Sequence, residues 1–277
     1  MGLITITSDW GINDHYSAAV KAKIYSYLPA AKIMDITHDV PLFDIGKAAY
    51  FIRNVYPYSP DGTVHIIGIN TIADKNSAHL IVRFRNQFFV GTDNGIFSLL
   101  FPRNEAPSEV YEITEMQDHD SFTFPSRDLF AKIAARLASG IPPNELGKPA
   151  QILNHITLSF PIIRHEKTQD DKVLYTEIVG DVTYIDHYEN VNTNIHKSQF
   201  EELQSQFSRF EIFFGAKSTI REISTAYSDV KVSDILALFA SDGYLQIAQN
   251  QSNAAGLLGI KKDTQIIIRF SNQQITK

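Results

Sequence analysis

The chain contains no cysteine. That excludes disulfides, thiolate metal sites and a cysteine nucleophile. It has no run of about 18 apolar residues, the length a membrane-spanning helix needs. The opening MGLITITSDWG lacks a basic segment followed by an apolar one, so no signal peptide is read there and a cytoplasmic location is expected. Lys and Arg number 25 against 31 Asp and Glu, for a net charge of −6 and no basic stripe. Nucleic acid is therefore not an expected partner. Also missing are Gly-x-Gly-x-x-Gly, a Walker loop, a Gly-x-Ser-x-Gly elbow and any metal-type spacing among the nine His, so no metal is expected.

What is present is the composition of a soluble globular protein: 277 residues, 44 % hydrophobic and 20 % charged. The length suits one large domain or two ordinary ones. Residues 3–8 read as a strand ending at Asp9-Trp10-Gly11. A helical pattern over 14–28 is stopped by Pro29, a strand follows at 31–36, a helix at 44–56 and a strand at 63–70. Residues 78–90 read as a hairpin around Arg85-Asn86, 109–114 as a strand and 127–139 as an amphipathic helix. Strand and helix then stop alternating. The polar stretch 164–172 marks a domain boundary, and short strands at 173–185, 191–195, 211–213, 236–240, 244–248 and 265–270 follow it. The expected architecture is an α/β domain over 1–163, with a mixed, largely parallel sheet flanked by helices. An all-β, barrel-like domain over 164–277 completes it.

Several polar residues sit where chemistry is possible. Asp9 ends the first strand ahead of a helix, where open α/β sheets bind ligands; it can accept ribose hydroxyls or merely cap a helix. Asp14 is the alternative cap. Asn70 ends the third strand, either facing a ligand or simply closing the strand. Ser126, in Thr123-Phe124-Pro125-Ser126-Arg127-Asp128, can cap the following helix or help hold an anion there. The run from Asp186 to Asn194 is rich in Asn; such side chains suit an adenine edge and equally suit a turn.

Seven segments, in one order over nearly the whole chain, resemble the S-adenosylmethionine (SAM) hydroxide adenosyltransferase family, the relatives of fluorinase and chlorinase. They are ITSDWG, DITHDVPLFDIGKAAYFI, YPYSPDGTVHI, FFVGTDNGIFS, TFPSRDLFAKIAARLASG, IDHYENVNTNI and SDGYLQIAQNQSNAAGLLG. The resemblance implies an α/β N-terminal domain and a β-barrel C-terminal domain. It also implies a homotrimer that holds SAM between the first domain of one subunit and the second domain of the next. It places the ribose-holding carboxylate on Asp9, with Trp10 and Phe124 beside it. The groups for the methionine amine and the adenine fall on Asp186 and Asn190, with Asn192 near them and Tyr188 lining the pocket. Ser241, Asn253 and Ala254 complete it. The implied reaction is displacement at the ribose C5′ carbon, giving adenosine and methionine when the nucleophile comes from water, with no cofactor beyond SAM.

The water-activating positions depart from the family pattern. Asn70 stands where the family has an acidic residue, Ser77 where it has Arg, and Pro125 where it has His. Ser126 replaces a glycine and matches the serine that helps hold fluoride in fluorinase. Three readings follow. One is a SAM hydrolase with Asn70 and Ser126 as candidate catalytic residues and its water activated by other groups such as Asp74, His79 or His119. Another is a SAM- or adenosine-binding protein without catalysis, serving as a sensor or a sequestering module. The third is a halogenase.

Overall fold

The computed structural model describes residues 2–73, 77–102, 104–116, 123–157, 159–214 and 218–272. They form two compact units, 1–158 and 159–277.

The first unit is built on one mixed sheet. Its strands are β1 (Leu3–Ser8), β2 (Lys32–Thr37), β3 (Val64–Gly68), β4 (His79–Phe84), β5 (Gln87–Thr92), β6 (Glu109–Ile113) and β7 (Gly147–Pro149), in the order β2-β1-β3-β5-β4-β6-β7. The pairings β2–β1, β1–β3 and β3–β5 are parallel; β5–β4, β4–β6 and β6–β7 are antiparallel. The sheet is thus mixed, with its parallel half confined to the four strands around β1. Strands β4 and β5 turn on Arg85 and Asn86, both left-handed (φ 48° and 60°), the conformation a two-residue hairpin requires.

Alternate residues of the central strands feed two separate cores, as the two-residue strand period dictates. Ile4, Ile6, Val64, Ile66, Ile81 and Val90 face one side. There they meet α1 (Tyr16–Tyr27) and α4 (Ala131–Ala138), which contribute Val20, Ile24, Ile133, Ala134 and Leu137. Ile67, Ile69, Leu80, Val82 and Phe89 face the other side, against α2 (Ile45–Arg53) and the short α3 (Phe97–Leu100). Removing a fully buried side chain such as Ile133 should cost about 2–5 kcal/mol.

Capping differs from expectation. Helix α1 starts at Tyr16 behind His15, with no side-chain cap, so neither Asp9 nor Asp14 caps it. Asp44 does cap α2, its Oδ1 accepting from Lys47 N at 2.9 Å, and that helix ends at Arg53 rather than 56. Before α4, Ser126–Phe130 forms a π turn, closed by Ala131 N donating to Ser126 O. Ser126 therefore lies inside the turn and caps nothing.

The second unit is an antiparallel, nearly barrel-shaped sheet. Its strands are β8 (Ile162–Lys167), β9 (Val173–Ile185), β10 (Val191–His196), β11 (Arg209–Phe214), β12 (Ser218–Ile220), β13 (Ile235–Phe239), β14 (Tyr244–Gln249) and β15 (Gln265–Ser271). The order is β12-β11-β15-β9-β10-β14-β13, and β8 adds to β9. Its core joins Ile178, Val182, Val191, Ile247, Ile268 and Phe270 to the short helices α5 (Lys197–Gln204) and α6 (Ala254–Leu258). The polar stretch 164–172 is the end of β8 and its turn into β9, not a linker. The division accordingly falls before 159 rather than at 163/164.

Candidate active site

From β1 the chain crosses to β2 on one side and then to β3 on the other. The carboxyl ends of β1 and β3 therefore diverge at a topological switch point, where open α/β sheets hold ligands. Asp9 leaves β1 at that point and Asn70 follows β3. The Asp9 carboxylate accepts the Phe43 amide, N to Oδ2 2.9 Å, and Oδ1 has no hydrogen bond among the described residues. That contact holds Phe43 left-handed (φ 63°) with its ring 68 % exposed, a conformation a bulky residue adopts only under constraint. Asn70 is exposed and left-handed (φ 45°). Asn94 Nδ2 pins its backbone by donating to Ile69 O at 3.0 Å and Asn70 O at 3.1 Å.

An aromatic row lies along this edge. Trp10 stacks on His38 at 5.8 Å between ring centroids and meets Phe124 edge-on at 5.4 Å; Phe124 meets Tyr16 edge-on at the same distance. Trp10 also lies flat over Gly68, where an added Cβ would stand 2.4 Å from Trp10 Cζ2. Beneath Trp10, His38 is 8 % exposed. Its Nδ1 is 2.6 Å from Ser8 Oγ, and Nε2 is 3.2 Å from Asp35 Oδ1, off the line of a good hydrogen bond. A Ser–His–Asp series suggests nucleophilic catalysis. Ser8 is fully buried, however, so the series serves to orient the ring under Trp10.

The π turn contributes a different chemistry. Ser126 is fully buried, and its Oγ has no hydrogen-bond partner among the described residues. An unpartnered buried hydroxyl is costly in a protein interior and marks a site that can take a polar ligand atom. Next to it the buried Asp128 carboxylate receives Arg127 through two teeth, Nε to Oδ1 at 2.6 Å and Nη2 to Oδ2 at 2.8 Å. The Arg127 guanidinium also lies over Phe124, 5.3 Å from the ring centroid. π turns recur at functional sites because the inserted residue re-aims its neighbours.

His79 opens β4, directly opposite Thr92 at the end of β5. Its Nδ1 is 3.0 Å from Thr92 Oγ1, and its ring meets Phe130 of the π turn edge-on at 5.0 Å. Burial lowers its pKa to about 4, so the ring is neutral near pH 7. Asp74 and His119 lie outside the described residues.

In the second unit, Asp186–Asn190 is the tight turn between β9 and β10. Asp186 Oδ1 accepts from Tyr188 N (2.8 Å) and Asn190 N (3.0 Å), and Oδ2 accepts from Asn190 Nδ2 (3.0 Å). Asp186 thus organises its own turn, leaving one acceptor position of roughly four. Asn190 is buried; its backbone N–H and one Nδ2 hydrogen are used, and its side chain keeps Oδ1 as acceptor and a second Nδ2 hydrogen as donor. Tyr188, at the tip, is 77 % exposed. Asn192 is held internally: its Oδ1 accepts from Gln246 Nε2 at 2.9 Å, and Gln246 Oε1 accepts from Tyr227 at 2.6 Å. Asn253 caps α6, Oδ1 accepting Gly256 N at 2.6 Å; Ala255 N, next to the buried Ala254, donates to Glu189 O at 3.0 Å. Asn253 and Ala254 are thereby brought to the Asp186–Asn190 turn. Ser241 is not. It precedes β14, whose Tyr244 lies opposite His196, while Val191 beside the turn lies opposite Ile247. The length of β10, about 17 Å at ~3.4 Å per residue, separates Ser241 from Asn190.

Sequence reading overlooked Phe43, Tyr16 and His38. The signal for His38 was available: Thr37-His38-Asp39 follows β2 at the ligand-binding edge. The signal for Phe43 was not, since only the Asp9 contact and the positive φ distinguish it.

Comparison with known proteins identifies the family. Residues 4–147 match the model of the SAM hydroxide adenosyltransferase N-terminal domain, and residues 180–267 match that of its C-terminal domain. An (R)-S-adenosyl-L-methionine hydrolase from Salinispora tropica is 28 % identical over 263 residues, covering 93 % of this chain and 94 % of the relative. A fluorinase from Nocardia brasiliensis is 24 % identical over 304 residues, covering 96 % of each. The crystal structure of an uncharacterized conserved protein from Thermotoga maritima superposes with a TM-score of 0.83 at 28 % identity, over 96 % of this chain and 99 % of that one. With both domain models matched in order over most of its length, the chain belongs to the SAM hydroxide adenosyltransferase family.

Proposed function

We propose that this protein hydrolyses SAM to adenosine and methionine. The observation that carries this reading is the Asp9 carboxylate at the β1/β3 switch point, held by Phe43 N through one oxygen, with the other lacking a partner among the described residues. A carboxylate so placed accepts ribose hydroxyls. The exposed face of Phe43 and the row Trp10–Phe124–Tyr16 offer aromatic surface to adenine and to the sulfonium cation. Asn190 Oδ1 and the remaining acceptor position of Asp186 suit the adenine amino group and the methionine ammonium. Because SAM needs groups from both units, we propose a homotrimer in which the second unit of a neighbouring subunit completes each site.

The chemistry asks little of the protein. Sulfur already carries positive charge, so methionine leaves without protonation. The site must bring water in line with the C5′–S bond and exclude competing solvent.

The alternative is SAM or adenosine binding without turnover. Asn70, Ser77 and Pro125, none of which is a base at neutral pH, favour it. One experiment separates the two. Pure protein is incubated with SAM, adenosine is followed by chromatography, and binding is measured by calorimetry. Adenosine release well above the blank supports the hydrolase. Binding with release no faster than the blank supports the non-catalytic reading, and no binding of SAM or adenosine removes both.

A further inference from the structure

We propose that His79 takes the proton from the attacking water, replacing the base this chain lacks at positions 70 and 125. The inference rests on the hydrolase reading above and adds to it the identity of the base.

His79 lies two residues before Ile81 on β4, so the two side chains share a face of the sheet. Ile81 packs in the core that contains Phe130, and His79 itself meets the Phe130 ring. His79 therefore stands on the side of the sheet covered by the π turn, at the edge from which Asp9 and Asn70 emerge. The buried Ser126 hydroxyl, without a partner among the described residues, opens that same π turn.

Thr92 Oγ1 donates its only proton to Thr71 O at 3.1 Å, since a carbonyl can only accept. Toward His79 Nδ1, 3.0 Å away, Thr92 Oγ1 must then act as acceptor. Nδ1 carries the hydrogen, and Nε2 is left with a lone pair. The Thr71–Thr92 pair thus fixes the tautomer that a general base needs, as an orienting partner does for a catalytic imidazole. On the flanking elements Arg127 is paired with Asp128 on the π turn and Glu112 with Lys148 at 3.0 Å across β6 and β7, while the buried Asp93, next to Thr92, accepts through Oδ2 from Leu153 N and Asn154 N and has no partner for Oδ1 among the described residues. The ring stays neutral, as a base must before reaction.

The step balances. Water oxygen forms a bond to C5′, the C5′–S bond breaks, and its electron pair neutralises the sulfonium to the thioether of methionine. One water proton passes to Nε2 and then to solvent, and the other remains on adenosine O5′. The acidity of water rises as its oxygen bonds to carbon, so a base of low pKa becomes effective late in the step.

The test compares wild type with His79→Asn and Thr92→Val. In His79→Asn the side-chain amide can still donate to Thr92 while the Nε2 acceptor is gone, so a merely structural role survives the change. The expected result is a fall in kcat of about 100-fold or more, the usual share of a general base. SAM affinity by calorimetry should stay within about threefold, because the ring makes no binding contact in this scheme. Thr92→Val, which frees the tautomer but keeps the ring, should lower kcat about tenfold at unchanged SAM affinity. Asparagine-variant turnover close to wild type overturns the assignment and leaves the hydrolase reading standing. If that variant does not fold, wild-type kcat in Thr92→Val overturns it equally. Wild-type protein that binds SAM without releasing adenosine overturns the hydrolase reading itself, and the assignment with it.

Discussion

At the scale of single residues, the ligand edge depends on close contacts that leave no slack. Gly68 gives Trp10 its seat, because any Cβ there meets the indole. Gly68→Ala should displace Trp10 from His38 and Phe124 and weaken SAM binding about tenfold, with a smaller loss of melting temperature. A variant with unchanged affinity would show that Trp10 plays no part in binding. Asp9→Asn keeps the acceptor for Phe43 N but removes the charge. Losing a charge-assisted bond of about 1.5–3 kcal/mol should weaken SAM binding roughly 10- to 100-fold, read by calorimetry. The buried His65 is a second pH-dependent element. Thr5 Oγ1 and Gln87 Oε1 hold its two nitrogens at 2.7 and 2.8 Å, and burial lowers its pKa from 6.5 to about 4. The folded state therefore prefers the neutral ring. Its stability is full above pH 6.5 and declines as the pH falls toward 4, by up to about 3 kcal/mol for such a shift. Thermal melts between pH 7 and 4.5 should show this decline, and His65→Gln should make it shallower, leaving the share of His79, whose pKa burial likewise lowers to about 4.

At the scale of elements, the long periodic patterns were legible in the sequence and the re-aimed segments were not. The strand–helix alternation to β3, the hairpin at Arg85-Asn86 and most strands of the second unit follow from two- and 3.6-residue periods. Helix 127–139 reads as continuous, because the apolar spacing of SRDLFAKIAARLAS tolerates one wider turn. Only the backbone reveals that Ser126–Phe130 is wound as π and that Ser126 is buried within it. The elements β7, β12, α3 and α6 are too short to show a period, while β8 (IIRHEK) and α5 (KSQFEELQ) carry too few apolar residues to show one. Ser241 shows another limit. Sequence spacing places a residue beside a strand but not at one end of the sheet or the other; the register of β10 with β14 decides that. Helix α4 is also held from outside, since Glu115 pairs with Lys132 at 3.0 Å and with Arg136. Glu115→Ala removes the one carboxylate that both partly buried cations share and should lower the melting temperature by a few degrees, consistent with roughly 1 kcal/mol. A shift within experimental error would mean the pairs are solvated and carry no stability.

At the scale of the whole molecule, the proposed ligand-binding set is divided between the two units. The first carries the Asp9 carboxylate and the aromatic row. The second carries the Asp186–Asn190 turn with Asn253 and Ala254 drawn to it through the Ala255–Glu189 bond. Several large apolar side chains near these features are exposed: Ile12, Leu42, Phe43 and Ile72 in the first unit, Tyr188 and Leu257 in the second. Exposure on this scale near a functional edge is characteristic of surfaces that meet a partner. The trimer proposal makes a quantitative prediction. Asp9→Asn disables the first unit's share of the site, and Asn190→Ala the second's. If each site combines units from two subunits, mixed trimers contain sites with both shares intact. Random exchange of equal amounts should then restore about a quarter of wild-type activity, since each head-to-tail interface draws its halves independently. Restoration requires subunit exchange, so the mixture is refolded together, and light scattering should give three times the 31.2 kDa chain mass. Activity that remains at the level of the separate variants, in particles of trimer mass, would place the whole site within one chain.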